Sequence, residues 1–312
     1  MNFSQSRFAK IIWRATALAA LASLCHGILP VQAAPKWALP EGIKSTEVNG
    51  YEMAYQEAGS GAPVVLVHGA LTDYRIWVNV GPELAKRFRV ITVSLRHYYP
   101  EKWDGEGNDF TYEQHAADVA ALIKKLNLGK VHLVGHSRGG GVAVQVAKTA
   151  PEVIKTLVLA DPSGFESMLP DTPETQRLLA ISRERTETLR KNLASGNLEL
   201  AGQMFADSLS APGNWAKRTQ ERKQRLFDNL GTAAAMTPAP ATTCEQVAKW
   251  DFPILILHGE TSPPNFAAGS GAMRKCKSSV VEPIVIPNAA HSMFNDNPAV
   301  FNAAVIGFLS RD

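Results

Sequence analysis

Gly135-His136-Ser137-Arg138-Gly139 is the stretch of this 312-residue chain whose residue types and spacing most directly suggest chemistry. A short apolar run, Val131-His132-Leu133-Val134, leads into it, and an apolar helix-like segment, Val142 to Lys148, follows. In such a strand-turn-helix setting Gly-x-Ser-x-Gly holds the serine in a strained turn, with its hydroxyl exposed at the end of a sheet and beside a helix N-terminus. Side chains at Gly135 or Gly139 would collide with the adjoining strand or helix, which is why glycine stands there. The competing reading is a glycine-rich turn that merely packs closely. The partners found elsewhere in the chain decide between the two.

A serine hydroxyl needs a base, and this arrangement takes its partners in the order serine, acid, histidine. Of the eight histidines, only His258 and His291 lie downstream of Ser137. His258 falls at the end of an apolar run and reads as a structural, hydrogen-bonded residue. His291 lies in the small-residue loop Pro287-Asn288-Ala289-Ala290-His291-Ser292, which can carry an imidazole over the sheet edge to Ser137. It is the expected general base and acid.

These groups must be positioned by elements that the hydrophobic pattern marks out. Ile43 to Gly59 alternates apolar and polar residues around Asn49-Gly50, a hairpin signal. Continuous apolar runs at 63–67, 90–93, 131–134, 156–160 and 252–258, with a strand over 280–286, have the character of buried parallel strands. Helices are expected over 75–87, from Thr111 as N-cap through Leu126, after the serine, over 265–276 and over 298–309. Alternating strands and helices require right-handed crossovers and so a mostly parallel, doubly wound α/β sheet. From Ser163 to Thr243 the alternation stops and helical segments near 175–194, 198–209 and 215–230 take over. That block is expected to be an inserted helical cap over the strand C-terminal ends, with residues 34–162 and 244–312 forming the core.

Together these features resemble the α/β-hydrolase fold superfamily from Ser45 to the end of the chain. The resemblance rests on His68-Gly69 after the third strand, Gly135-His136-Ser137-Arg138-Gly139-Gly140, and Ala290-His291 before the last helix. It implies an oxyanion hole built from the backbone N–H groups of Ala70 and Arg138, each such donor typically contributing ~3–4 kcal/mol of transition-state stabilisation. It also implies that His68 braces its loop rather than reacting. The acid departs from the superfamily's common pattern: Gly259-Glu260-Thr261-Ser262 puts serine where most relatives carry aspartate. Asp161 and Glu260 remain as alternatives. Asp161 is favoured because one group of haloalkane dehalogenases carries its acid after that earlier strand.

Composition narrows the setting. Arg7, Lys10 and Arg14 precede a broken apolar run, and Val31-Gln32-Ala33 offers small residues for cleavage, so residues 1–33 read as a secretory signal peptide. Its removal takes away three basic and no acidic residues, bringing the formal charge from +3 to zero. No electrostatic case remains for nucleic acid or for stable association with an anionic membrane. Export to the periplasm or medium would leave Cys244 and Cys276 where a disulfide can form, stabilising by about 3–4 kcal/mol on the chain-entropy model; the alternative is two unpaired thiols. The run from Lys217 to Arg225 contains Glu221 and reads as a solvated helix face. Tyr98, Tyr99 and Trp103 either line a substrate pocket or pack their own loop. No metal-ligand spacing or phosphate-cradling loop is present, so neither metal nor cofactor is expected.

The resulting expectation is an exported serine hydrolase that cleaves a small or medium carboxylic ester through an acyl-enzyme on Ser137. A C–C bond hydrolase or perhydrolase would use the same residues, and a ligand-binding protein on a hydrolase scaffold is the non-enzymatic alternative. Haloalkane dehalogenase and epoxide hydrolase chemistry are disfavoured, since those relatives place aspartate where Ser137 stands.

Overall fold

A computed structural model describes residues 37–277, 280 and 282–311; the expected signal peptide lies outside them. Strands β1 (Lys44–Val48) and β2 (Tyr51–Ala58) form the expected antiparallel hairpin, with Asn49 and Gly50 both at positive φ in its turn. They continue into β3 (Pro63–Val67), α1 (Gly81–Ala85), β4 (Arg89–Val93), α2 (Tyr112–Lys125), β5 (Val131–His136) and α3 (Arg138–Thr149). After β6 (Ile154–Ala160) come α4 (Pro173–Ala194), α5 (Leu198–Ser208), α6 (Asn214–Lys217), α7 (Gln220–Phe227) and α8 (Cys244–Ala248). The chain then adds β7 (Ile254–Gly259), α9 (Pro264–Cys276), β8 (Ile284–Ile286), α10 (Met293–Asp296) and α11 (Pro298–Leu309). The eight strands lie in the order β1-β2-β4-β3-β5-β6-β7-β8, all parallel beyond the pairings that β2 makes.

The sheet is buried on both faces, and strand periodicity explains how one apolar run serves two cores. On β3, Val65 and Val67 join α2 and α3, while Val64 and Leu66 join the opposite layer with Trp77, Phe294 and Phe301. Leu133 and Val134 of β5 divide in the same way. Fully burying each such side chain contributes about 1.5–3 kcal/mol. Both layers converge on β5, which places its C-terminal end, and Ser137, at the best-braced point of the sheet.

The helical insertion of this fold class stands between β6 and β7. Leu189, Ala201, Trp215 and Leu226 pack together there with Leu71, which belongs to the loop after β3. An ion-pair network reinforces this junction. Arg75 binds Asp73 and Asp228, each at 2.7 Å, and the Asn229 amide donates to Asp73 at 2.7 Å. The insertion is thereby fixed to the same loop that carries Ala70.

Three elements differ from expectation. The helix expected over 75–87 is a 3-10 turn (Tyr74–Trp77) followed by the short α1, because the chain breaks before Gly81-Pro82. Of the strand expected over 280–286, the described residues form Ile284–Ile286, starting after Pro283, whose missing N–H cannot join a ladder; residue 281 lies outside the described residues. The segment around 215–230 divides into α6 and α7.

Cys244 and Cys276 are joined by a disulfide spanning 32 residues, tying α8 to α9. Cys276→Ser is expected to lower unfolding stability by about 3–4 kcal/mol, read from the denaturant midpoint without reductant. Reductant should remove that stability from the native chain and leave the variant unaffected; equal responses of both would contradict a structural disulfide.

Candidate active site

Ser137 ends β5 and starts α3 with φ 54° and ψ −120°, a conformation costly for any residue with a Cβ. The flanking glycines make it attainable: a Cβ on Gly135 would overlap the Gly139 carbonyl, and a Cβ on Gly139 would overlap the carbonyl of His68. The turn is tied down by its own backbone. Ser137 N donates to Ala160 O at 3.0 Å, while Gly141 N and Ser163 N both donate to Ser137 O at 3.1 Å. Its hydroxyl makes no hydrogen bond among the described residues and faces two cavities.

His291 is 3% exposed and lines the smaller of those cavities beside Ser137. Its ring lies between Phe266, stacked at 4.5 Å between centroids, and His136 at 4.6 Å. Nδ1 lies 3.1 Å from Asp161 Oδ2, and Nε2 has no partner among the described residues. With a carboxylate at Nδ1 the ring proton resides there, leaving the Nε2 lone pair free to accept a proton.

Asp161 follows β6 and is fully buried. Its carboxylate also accepts from His258 Nδ1 at 2.8 Å and from the Ser262 hydroxyl at 2.5 Å. Burial pushes the carboxyl upward, but the hydrogen bonds from His258, His291 and Ser262 outweigh it and hold the group below its ordinary value. Glu260, the alternative acid, is exposed and accepts from the backbone N–H of Asn288 at 2.8 Å. The structure therefore brings Asp161 to His291, while Glu260, just after β7, is engaged by the backbone of the loop that leads to His291.

The remaining expected groups surround the serine. Ala70 lines both cavities and Arg138 the larger one, and neither backbone N–H donates to an acceptor among the described residues. His68 accepts from Leu95 N at 3.0 Å through Nε2 and donates from Nδ1 to Gly69 O at 2.8 Å. Burial drives its pKa to about 4, so it stays neutral and braces the loop. The Arg138 guanidinium is buried over the rings of Phe110 and Tyr112, at 4.6 and 4.1 Å from their centroids. Tyr98, Tyr99 and Trp103 line neither cavity: Trp103 stacks on His97 at 4.4 Å, and Tyr99 lies under the Arg75 guanidinium.

Two residues with roles here, His136 and Ser262, carried no assigned function in the sequence, and His258 has the structural, hydrogen-bonded role expected of it. His136, inside the serine motif, donates from Nε2 to the backbone carbonyl of His291 at 2.8 Å. Burial and the neighbouring His291 bring its pKa down to about 3, so it remains a neutral donor. Ser262 occupies the position where relatives carry an acid, and that anomaly was the signal. His258 donates to the same carboxylate as His291. The basic run corrects an expectation: Arg225 is buried, and Arg218, Arg222 and Arg225 line the smaller cavity rather than forming a solvated face.

Residues 62–298 match the alpha/beta hydrolase fold family. An uncharacterised protein of Mycobacterium tuberculosis is 30% identical over 172 residues, covering 54% of this chain and 49% of that protein. A soluble epoxide hydrolase of Corynebacterium sp. is 38% identical over 114 residues, covering 36% of this chain and 39% of that protein. The match thus spans half or less of the length of these curated relatives. Among solved structures, a thermophilic esterase from Thermogutta terrifontis superposes with a TM-score of 0.65 at 25% identity, covering 87% of this chain and 98% of that one. With the family matched from the first parallel strand to the last helix, and the strained serine turn at the end of β5, the chain belongs to the alpha/beta hydrolase fold family.

Proposed function

We propose that the protein is a serine hydrolase of carboxylic esters, with Ser137 as nucleophile, His291 as general base and acid, and Asp161 as the orienting carboxylate. The observation that carries this reading is the free Nε2 of His291, held by Asp161 at Nδ1, in the cavity where the Ser137 hydroxyl also opens. Ser137 Oγ attacks the acyl carbonyl while His291 Nε2 takes its proton, and the oxyanion is received by the N–H groups of Ala70 and Arg138. His291 then protonates the leaving alkoxide. Water, deprotonated by the same nitrogen, attacks the acyl-enzyme and releases the acid and the free serine.

A cavity of about 410 Å³ extends from Ser137 beneath α4 and α5 and suits a small or medium acyl chain. A hydroxyl rather than a carboxylate at position 137 favours ester cleavage over the epoxide opening of the Corynebacterium relative. The Cys244–Cys276 disulfide fits an exported protein, and export to the periplasm or medium is part of the proposal.

A fluorophosphonate probe is expected to label the native protein and not Ser137→Ala. Absence of labelling in the native chain would point to a ligand-binding protein on this scaffold, and labelling that survives the substitution would move the nucleophile elsewhere. Asp161→Asn, checked for folding by its thermal transition, is expected to lose about 10⁴-fold in kcat, because an amide cannot hold the imidazole tautomer or stabilise the imidazolium. Glu260→Gln should stay within a few-fold of native. The reverse pattern in p-nitrophenyl butyrate hydrolysis would assign the acid to Glu260.

A further inference from the structure

The smaller cavity measures about 60 Å³ and opens between the end of β5 and the insertion helices. His291 lines it with Ser137, whereas the larger cavity reaches Ser137 without including His291. An acyl transfer has a direction in this site, because the histidine that protonates the leaving oxygen must lie on the leaving-group side. The smaller cavity is therefore where the alcohol portion of the ester sits.

Its lining is chemically one-sided. Arg218 at the end of α6, with Arg222 and Arg225 three residues apart on one face of α7, contributes to it, and among the described residues no aspartate or glutamate does. The larger cavity, by contrast, mixes arginines with Glu166 and Glu187. Arg225 is 5% exposed; its Nη2 binds Glu221 at 3.0 Å and its Nε has no partner among the described residues. Among the described residues the Arg218 side chain donates only to Asn214 Oδ1, at 3.1 Å, and that of Arg222 makes no hydrogen bond or ion pair. Nearby carboxylates are committed elsewhere. Asp73 and Asp228 bind Arg75, Asp207 accepts from the backbone N–H groups of Gly213 and Trp215, and Asp296 accepts from that of Ala290. Burial and the adjacent Arg222 bring the pKa of Arg218 down to about 10, with Asp296 and Asp207 opposing them only in part.

One exposed carboxylate, Glu221, pairs with one of the three guanidinium groups, and gathering the other charges partly buried beside it is costly unless a further anion offsets them. We propose that this cavity is an anion subsite, in which Arg218, Arg222 and Arg225 receive a carboxylate borne by the leaving alcohol of the ester. The substrate class is then the ester of a short hydroxy acid. A single buried water needs about 10–15 Å³, so the cavity accommodates a carboxylate and its connecting carbon but not a long chain. The inference rests on the serine-hydrolase reading for the word ester, although the anion site itself does not depend on it.

Three esters separate the possibilities: O-butyryl glycolate, its neutral amide O-butyryl glycolamide, and ethyl hemisuccinate, whose anion is on the acyl side. Native protein is expected to hydrolyse the glycolate ester with a kcat/KM at least tenfold above both others, the difference lying mainly in KM. In Arg222→Gln, and separately in Arg218→Gln, the ratio of glycolate ester to amide should fall towards one. A ratio near one in native protein, a ratio unchanged in both variants, or preference for ethyl hemisuccinate would overturn the proposal. Glycolate binding to Ser137→Ala, followed by NMR titration, gives a readout independent of turnover. Saturable binding weakened at least tenfold by adding Arg222→Gln supports the anion subsite even if no ester is cleaved, in which case only the serine-hydrolase reading fails. Absence of saturable binding overturns the subsite whatever the ester rates.

Discussion

The buried carboxylate of Asp161 is the constraint on which the site depends. A lone carboxylate with no exposure would be protonated or would destabilise the fold, so it persists as an anion only by accepting hydrogen bonds. Three side chains supply them: His258 from β7, Ser262 from the loop after β7, and His291 from the loop after β8. Each donor comes from a different segment, and Asp161 N itself donates to Leu257 O at 2.9 Å. Satisfying one buried charge therefore gathers the C-terminal ends of β6, β7 and the loop beyond β8 around a single point. That point fixes the imidazole that faces Ser137.

A second constraint sets what may approach that imidazole. The loop after β3 carries Ala70 beside the serine, sends Leu71 into the apolar cluster of the insertion, and holds Asp73 in the network with Arg75, Asp228 and Asn229. The backbone of His291 also reaches the insertion, donating to Leu209 O at 3.4 Å. Ala70, His291 and both cavities beside Ser137 are thus referenced to the same helices. Reshaping α5 to α7 would alter the cavities without touching the hydrogen bonds around Asp161, which is how one scaffold serves many substrates.

Local chemistry was legible in the sequence, and long-range pairing was not. The Ser137 turn could be read because steric exclusion at Gly135 and Gly139 acts within five residues, and the parallel sheet because apolar runs at 63–67, 131–134 and 156–160 cannot be solvated. Apolar spacing over 75–87 runs on through Gly81-Pro82, where only the backbone break divides it into a 3-10 turn and α1. Nothing local to the Lys217–Arg225 run shows that α7 turns Arg222 and Arg225 towards a cavity formed by β5 and the His291 loop. His136 and Ser262 gain their roles from partners 155 and 101 residues away. The choice between Asp161 and Glu260 was of the same kind. Both end strands, and only the folded geometry separates the carboxylate beside His291 from the one that accepts from Asn288 N.

If Asp161 acts only through His291, the two residues form one functional unit whose losses do not add. The most direct measurement is a double-mutant cycle on kcat for p-nitrophenyl butyrate with Asp161→Asn, His291→Ala and the combined variant. The account predicts that the double variant is no slower, within a few-fold, than His291→Ala alone. Losses that multiply across the two substitutions would show that Asp161 acts independently of His291 and would contradict the proposed site.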